Sequence, residues 1–273
     1  MTRYLPPSLL LLSTAFSAPV WAQTDTEAVL PTVEVSAPRL ARELYATPAA
    51  VSTIEQDAIA QGQQRVRLDE SLNRVPGVFL QNRDNFAQGQ RISIRGFGAR
   101  APFGVRGITV MVDGIPYTLP DGQAQLDAID LDSAERIEVI RGPSSVLYGN
   151  AAGGVINLTT TFDTSRRLTI TPDIQFGSHG YNRQQIRADG GNAKTQFMFS
   201  ASRFETDGFR TNSHAEIIQT NLVVRRELGP NTELRGVFNF NDTPYAESPS
   251  FLNEADARGD PLRDNDGVCL SGA

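Results

Sequence analysis

The chain has 273 residues, 25 basic and 31 acidic side chains and a formal charge of −6. That length suits one large domain or two small ones, and the acid surplus speaks against a nucleic-acid binder. One cysteine, Cys269, and two histidines, His179 and His214, supply a zinc site or a Cys/His nucleophile pair poorly. No run of about 18 apolar residues offers a membrane-spanning helix.

The N-terminus has Arg3, a short apolar stretch from Leu9, and VWAQ with small Val20 and Ala22 where a signal peptidase reads. Residues 1–22 are therefore expected to be a cleaved secretory signal. The alternative, a buried helix, is opposed by Pro6, Pro7 and Pro19. An exported chain with a single cysteine does not rely on disulfides within this length. Next comes a polar arm, residues 23–45. Within it LPTVEVSA, residues 30–37, alternates Val33 and Val35 with Thr32, Glu34 and Ser36. Such an extended segment suits addition to another protein's sheet edge. It also fits a disordered tail.

From about residue 46 the composition turns globular. AAVSTI reads as a strand and QDAIAQ as a short helix. LDESLNRVPGV reads as a helix ended by Pro76 and Gly77. RISIRG and ITVMVDG read as strands, the second closed by an Asp113–Gly114 turn. RIEVIRG and GVINLTT, joined through small residues, complete a mixed α/β unit ending near residue 160.

After residue 161 the period becomes two. LTITPDIQF sets Leu168, Ile170, Pro172, Ile174 and Phe176 against Thr169, Thr171, Asp173 and Gln175. YNRQQIRAD, KTQFMFSAS, EIIQTNLVVRREL and TELRGVFNF continue the pattern, about five strands of the length used across membranes. GGNAK and LGPNT are tight turns, whereas ETDGFRTNSHA and the segment after residue 242 are longer. Short turns at one end and long loops at the other suit an outer-membrane barrel. A soluble β-sandwich also alternates. Five strands cannot close a barrel, and an open edge in lipid leaves backbone groups unpaired.

Tests for catalytic motifs fail. RGFGARAPFG has Gly96 and Gly98, but Ala101 stands at the third glycine position and no βαβ order surrounds it. RDNDGVCLSGA puts Leu262 and Ala273 at the first and last ligand positions of an EF-hand. No phosphate loop, HExxH or GxSxG is present. No set of nucleophile, base and metal ligands assembles, and no enzyme is expected.

LPTVEVSA, RISIRGFG, VMVDGIPY and RIEVIRGPSSVLYGNAAGGVINL, in that order, resemble the TonB-dependent outer-membrane receptors. The resemblance implies an α+β plug domain (46–160) followed by the first strands of a 22-stranded antiparallel transmembrane β-barrel (161–273), truncated here. It implies a TonB box formed by Thr32, Val33, Glu34, Val35, Ser36 and Ala37. Arg95 and Arg141 match family arginines that pair with barrel-wall acids, whose partners are expected beyond residue 273. The apices of the plug would offer Arg100, Phe103, Arg106, Tyr117, Asp121 and Gln123 to a ligand. Arginines there favour an anionic ferric chelate, such as ferric citrate or a carboxylate siderophore.

The implied function is active uptake of a scarce nutrient across the outer membrane of a Gram-negative cell, energised through TonB, with no cofactor. About 23 residues between signal and plug leave no room for a signalling domain. The chain reads as a fragment. Competing readings are a soluble periplasmic or surface binding module and a non-functional truncated product. An extracellular-loop disulfide at Cys269 is plausible only in a longer chain.

Overall fold

A computed structural model describes residues 49–262 apart from 82–83, 102–103, 161, 163–166, 231, 250–251 and 253, together with two short strands of the arm. The expected signal segment, Thr32, Val33, Ser36, Ala37, Phe103 and Cys269 lie outside the described residues. In the arm, β1 (Glu34–Val35) pairs antiparallel with β2 (Arg42–Glu43), Glu34 opposite Glu43 and Val35 opposite Arg42.

The mixed unit follows as β3 (Ala50–Glu55), α1 (Gln56–Ala60), α2 (Asp69–Leu72), β4 (Val78–Gln81), β5 (Arg91–Ile94), β6 (Val105–Arg106), β7 (Ile108–Val112), β8 (Ile115–Pro116), β9 (Gln123–Ala124), β10 (Ala134–Arg141), α3 (Ser145–Tyr148) and β11 (Gly154–Thr160). Its central sheet has the order β3-β10-β11-β7-β8. Only the β11–β7 pairing is parallel. β10 and β11 are buried along most of their length, Glu138 and Asn157 included, because layers cover both of their faces. Ile137, Val139, Ile156 and Leu158 from these strands join Ile59, Leu68, Leu72, Ile92 and Ile108 in one core. β4–β5 and β6–β9 are two-stranded ladders beside it.

Two local expectations change. The helix read over LDESLNRVPGV covers only Asp69–Leu72. Beyond Leu72 the bonds tighten to three-residue turns, Arg74 N–H to Ser71 O at 3.4 Å and Val75 N–H to Leu72 O at 2.9 Å. Pro76 keeps Val75 out of helical geometry, so the chain cannot resume. Between β10 and β11, the stretch of small residues contains a helical turn, α3, before it closes. The closure needs glycine: a Cβ on Gly154, at φ +145°, would lie 2.1 Å from the Ile140 carbonyl oxygen.

Five strands form a separate antiparallel meander in chain order: β12 (Leu168–Phe176), β13 (Asn182–Gly191), β14 (Thr195–Thr206), β15 (Ala215–Gly229) and β16 (Thr232–Ala246). The short helix α4 (Glu254–Gly259) follows. β15 and β16 reach 15 residues each, longer than the alternation suggested. The turns at 192–194 and near 230 share one end, and the connections 177–181, 207–214 and the segment after 246 share the other. One connection at the long-loop end, 177–181, is itself short.

The register places unlike residues on the two faces. Ile186, Leu222, Phe238 and Phe240 stand out exposed on one face. Arg183, Gln185, Ser200, Gln219 and Asn221 are buried on the other. This inverts the usual soluble arrangement, in which the apolar face is the covered one. Among the described residues, no helix is long and apolar enough to cross a membrane, which says nothing of crossing by strands.

Candidate functional site

The polar face of the meander meets the mixed unit along one irregular segment, residues 126–134, LDAIDLDSA. Leu126, Ile129, Leu131 and Ala134 are buried in the core of the mixed unit. The residues between them face the meander. Local bonds fix the shape: Ile129 N–H donates to Leu126 O at 3.1 Å, and Asp132 N–H to Asp130 Oδ1 at 3.0 Å. The segment thus anchors in one body and presents its polar groups to the other.

Four strands reach this segment directly. From β13, Arg183 donates to Asp132 Oδ2 and Arg187 to the Asp132 carbonyl. From β14, the Ser200 hydroxyl donates to Asp130 Oδ2 at 2.8 Å. From β15, Gln219 Nε2 donates to Asp127 O at 3.0 Å. From β16, Asn239 Nδ2 donates to Ala128 O at 2.9 Å. A further tie lies off the segment, where Arg235 Nη1 of β16 meets Asp113 Oδ1 at 3.1 Å. Asp113 is held in turn by Thr160 N–H at 2.9 Å and the Thr160 hydroxyl at 2.7 Å.

The fifth strand joins through Arg65. Its guanidinium pairs with Asp173 of β12 and lies 3.5 Å from Asp132 Oδ1. The result is a row of alternating charge: Asp173, Arg65, Asp132, Arg183. Arg65 is a non-glycine residue at φ 59°, a conformation that costs about 1–3 kcal/mol. Glu70 stabilises it. The Glu70 carboxylate accepts four successive backbone N–H groups, from Gln64 at 2.6 Å and from Arg65, Val66 and Arg67 at 3.0 Å each. Such a run of aligned N–H groups is an anion nest.

Asp132 is almost closed to water. Burial, and then the Asp130 carboxylate beside it, push its acid up to about 7, against the pull of Arg183 and Arg65. Burial lowers the Arg67 guanidinium from its usual value. Arg67 donates to the carbonyls of Asn85 at 2.8 Å and Gln88 at 2.9 Å and lies over the Phe86 ring.

Against this geometry stand the comparisons with known proteins. The TonB-dependent Receptor Plug Domain matches residues 43–155. Residues 43–155 are a plug domain of that receptor family. The vitamin B12 transporter BtuB of Vibrio vulnificus is 30% identical over 187 residues, 67% of this chain and 29% of that protein. A hemin receptor of Yersinia enterocolitica is 29% identical over 165 residues, 58% of this chain and 23% of that protein. The ferripyoverdine-bound receptor FpvA of Pseudomonas aeruginosa superposes with a TM-score of 0.61 at 16% identity, covering 77% of this chain and 27% of that one. The chain thus spans under a third of the length of these relatives. Its meander corresponds to receptor strands, and the sheet is not closed into a barrel.

The structure brings some of the expected residues together. Arg106 and Gln123 are opposite each other in the β6–β9 ladder of the plug, and Asp121 Oδ1 accepts the Gln123 N–H at 2.9 Å. Arg100 is exposed in a neighbouring turn. Tyr117 departs from the group: it packs against the plug core, and burial raises its phenol above the usual value.

Arg95 and Arg141 converge on the Pro76–Gly77 turn. Arg141 donates to Pro76 O at 2.8 Å and to Ser52 Oγ at 3.0 Å. The Arg95 N–H donates to Gly77 O at 2.9 Å, and its side chain runs beside Gly142. Among the described residues neither guanidinium pairs with an acid.

The sequence reading did not single out Arg65, Glu70, the 127–132 segment or Arg183. Two signals for the last two were present. In LDAIDLDSA the acids interleave with apolar residues, and YNRQQIRAD repeats charge on one face of a strand.

Proposed function

We propose that the chain is the plug and part of the wall of an outer-membrane receptor that takes up a scarce nutrient, with energy supplied through TonB. The observation that carries this is the two-faced meander. All five strands bind the plug through polar groups, directly or through Arg65, while the opposite face is apolar and exposed. An apolar exterior on strands whose other face is polar fits a wall in lipid. The inner strands β13, β14 and β15, paired on both backbone sides, also meet the demand that no polar backbone group stay unpaired in hydrocarbon.

The ligand is read as a ferric chelate, and an anionic one such as ferric citrate suits the exposed Arg100 and Arg106. Phe103, Tyr117, Asp121 and Gln123 complete the proposed contact set. Residues 30–37 are read as the TonB box, with the strand pairing of Glu34 and Val35 supporting an extended recognition segment. The arginines at 95 and 141 are read as contacts to acids of the wall. Two positive groups meeting at one turn without a paired acid suit that role.

The test starts with fractionation of the native product. A receptor partitions with the outer membrane, shifts on gels when heated, and supports growth on ferric citrate only when TonB is intact. Recovery in the soluble periplasmic fraction would replace this reading with a soluble binding module.

A further inference from the structure

The loop 62–67 stands between two clefts. One, of about 520 Å³, opens at the long-loop end and is lined by Gln63 and Gln64 with Asp84, Phe86, His179 and Phe209. The other, of about 380 Å³, lies deeper along the seam and is lined by Arg65, Asp132, Asp173 and Arg187. Ala60 lines both. Along the loop the contacts change from the outer cleft to the wall and then to the plug. Gln63 and Gln64 face the outer cleft, and Arg65 completes the charge row. Val66 packs with Phe204 and Ala215 of the wall, and Arg67 holds the carbonyls of Asn85 and Gln88. One carboxylate, Glu70, holds the backbone of the loop in place.

We propose that this loop is the lever by which occupancy of the outer cleft loosens the plug from the wall. The proposal rests on the receptor reading above. In the clasped state Glu70 holds residues 64–67 in the nest, and Arg65 sits between Asp132 and Asp173. A body filling the outer cleft presses on Gln63 and Gln64, pulls their neighbours off Glu70, and lets Arg65 leave its left-handed conformation. Asp173 then loses its tie to the plug, and Asp132 keeps only the guanidiniums of β13. Coupling of this kind requires that the occupant bind the released state better than the clasped one. The difference would come from Glu70, whose Oε2 takes the N–H groups of both Gln64 and Arg65, so that yielding at Gln64 weakens the hold on Arg65.

The test needs no identified ligand. In the receptor purified from its native membrane, Gln63→Trp serves as a built-in occupant of the outer cleft. Arg65→Gln and Glu70→Gln release the clasp directly. Arg235→Gln breaks a plug–wall ion pair outside the loop and is the control. Hydrogen exchange of the 64–67 and 127–132 amides is read alongside capture by the TonB C-terminal domain. Q63W, R65Q and E70Q are expected to speed exchange in both segments and raise capture about tenfold, with R235Q near wild type.

The Q63W/R65Q pair decides coupling: its capture should match R65Q alone rather than multiply the two effects. Multiplying effects, or Q63W exchange at 127–132 equal to wild type, overturns the lever. Equal loosening by R235Q overturns it as well. Faster exchange in both segments with no capture by any variant would leave the lever standing and sink the receptor reading. Where R65Q fails to assemble, R65K keeps the charge without the two-armed fork and is read in the same way.

Discussion

Asp132 takes contacts from three guanidinium groups in a site nearly closed to water. Removing Arg183 would leave a buried acid short of its nearest partner, and such losses cost about 3–5 kcal/mol. Arg183→Ala is therefore expected to lower the urea concentration at which the plug becomes sensitive to protease. The same acid sets a pH dependence. Its seated value of about 7 is above the usual 3.8, so the seated plug keeps a proton that the unseated plug gives up. Seating is strongest below about pH 4, weakens as pH rises through that window, and levels off above about 7. The full span corresponds to something on the order of 4 kcal/mol. Asp132→Asn should flatten the slope between pH 4 and 7 in the same urea assay. An unchanged slope would mean that another group titrates.

At the scale of elements, the wall strands make the clearest commitment. Phe238 and Ile170 are on the outward apolar face. A Lys there, at the depth of hydrocarbon, costs about 2–4 kcal/mol. Phe238→Lys should reduce the heat-modifiable form in the outer membrane, while Asn241→Lys on the inner face should not. Within the plug, Ile137→Ala in β10 removes a fully buried side chain and should cost about 2–5 kcal/mol.

The wall strands were legible in the sequence because a period of two needs only local pattern. Of the plug strands, β7 was legible as an apolar run between Gly107 and Gly114, and β10 and β11 as short strands on either side of a stretch of small residues. β5 was legible in RISIRG, but its partner β4 and the ladder β6–β9 were not, since strands of two to four residues carry little pattern. The seam was hardest. Arg65 and Asp173 are 108 residues apart, and the tie between them depends on Glu70 holding a backbone conformation that no local preference of arginine announces.

At the scale of the molecule, each of β12 and β16 pairs on one side only among the described residues. An unpaired edge beside an apolar face is a template for association. Residues 23–273 produced alone are expected to self-associate, seen as sedimentation far above the mass of one copy. A monodisperse monomer would show that the edges are covered by something else in the chain. The two bodies also differ in what they ask of each other. Three plug acceptors at the seam, on Asp127, Ala128 and Asp132, are backbone carbonyls, whereas every donor to them is a wall side chain. A carbonyl survives any change of side chain. The two bodies therefore have unequal freedom to drift: Ala128 can be rewritten and still accept its bond, but Asn239 cannot. In a lineage of such receptors, these three contacts would record which plug fits which wall in the wall alone.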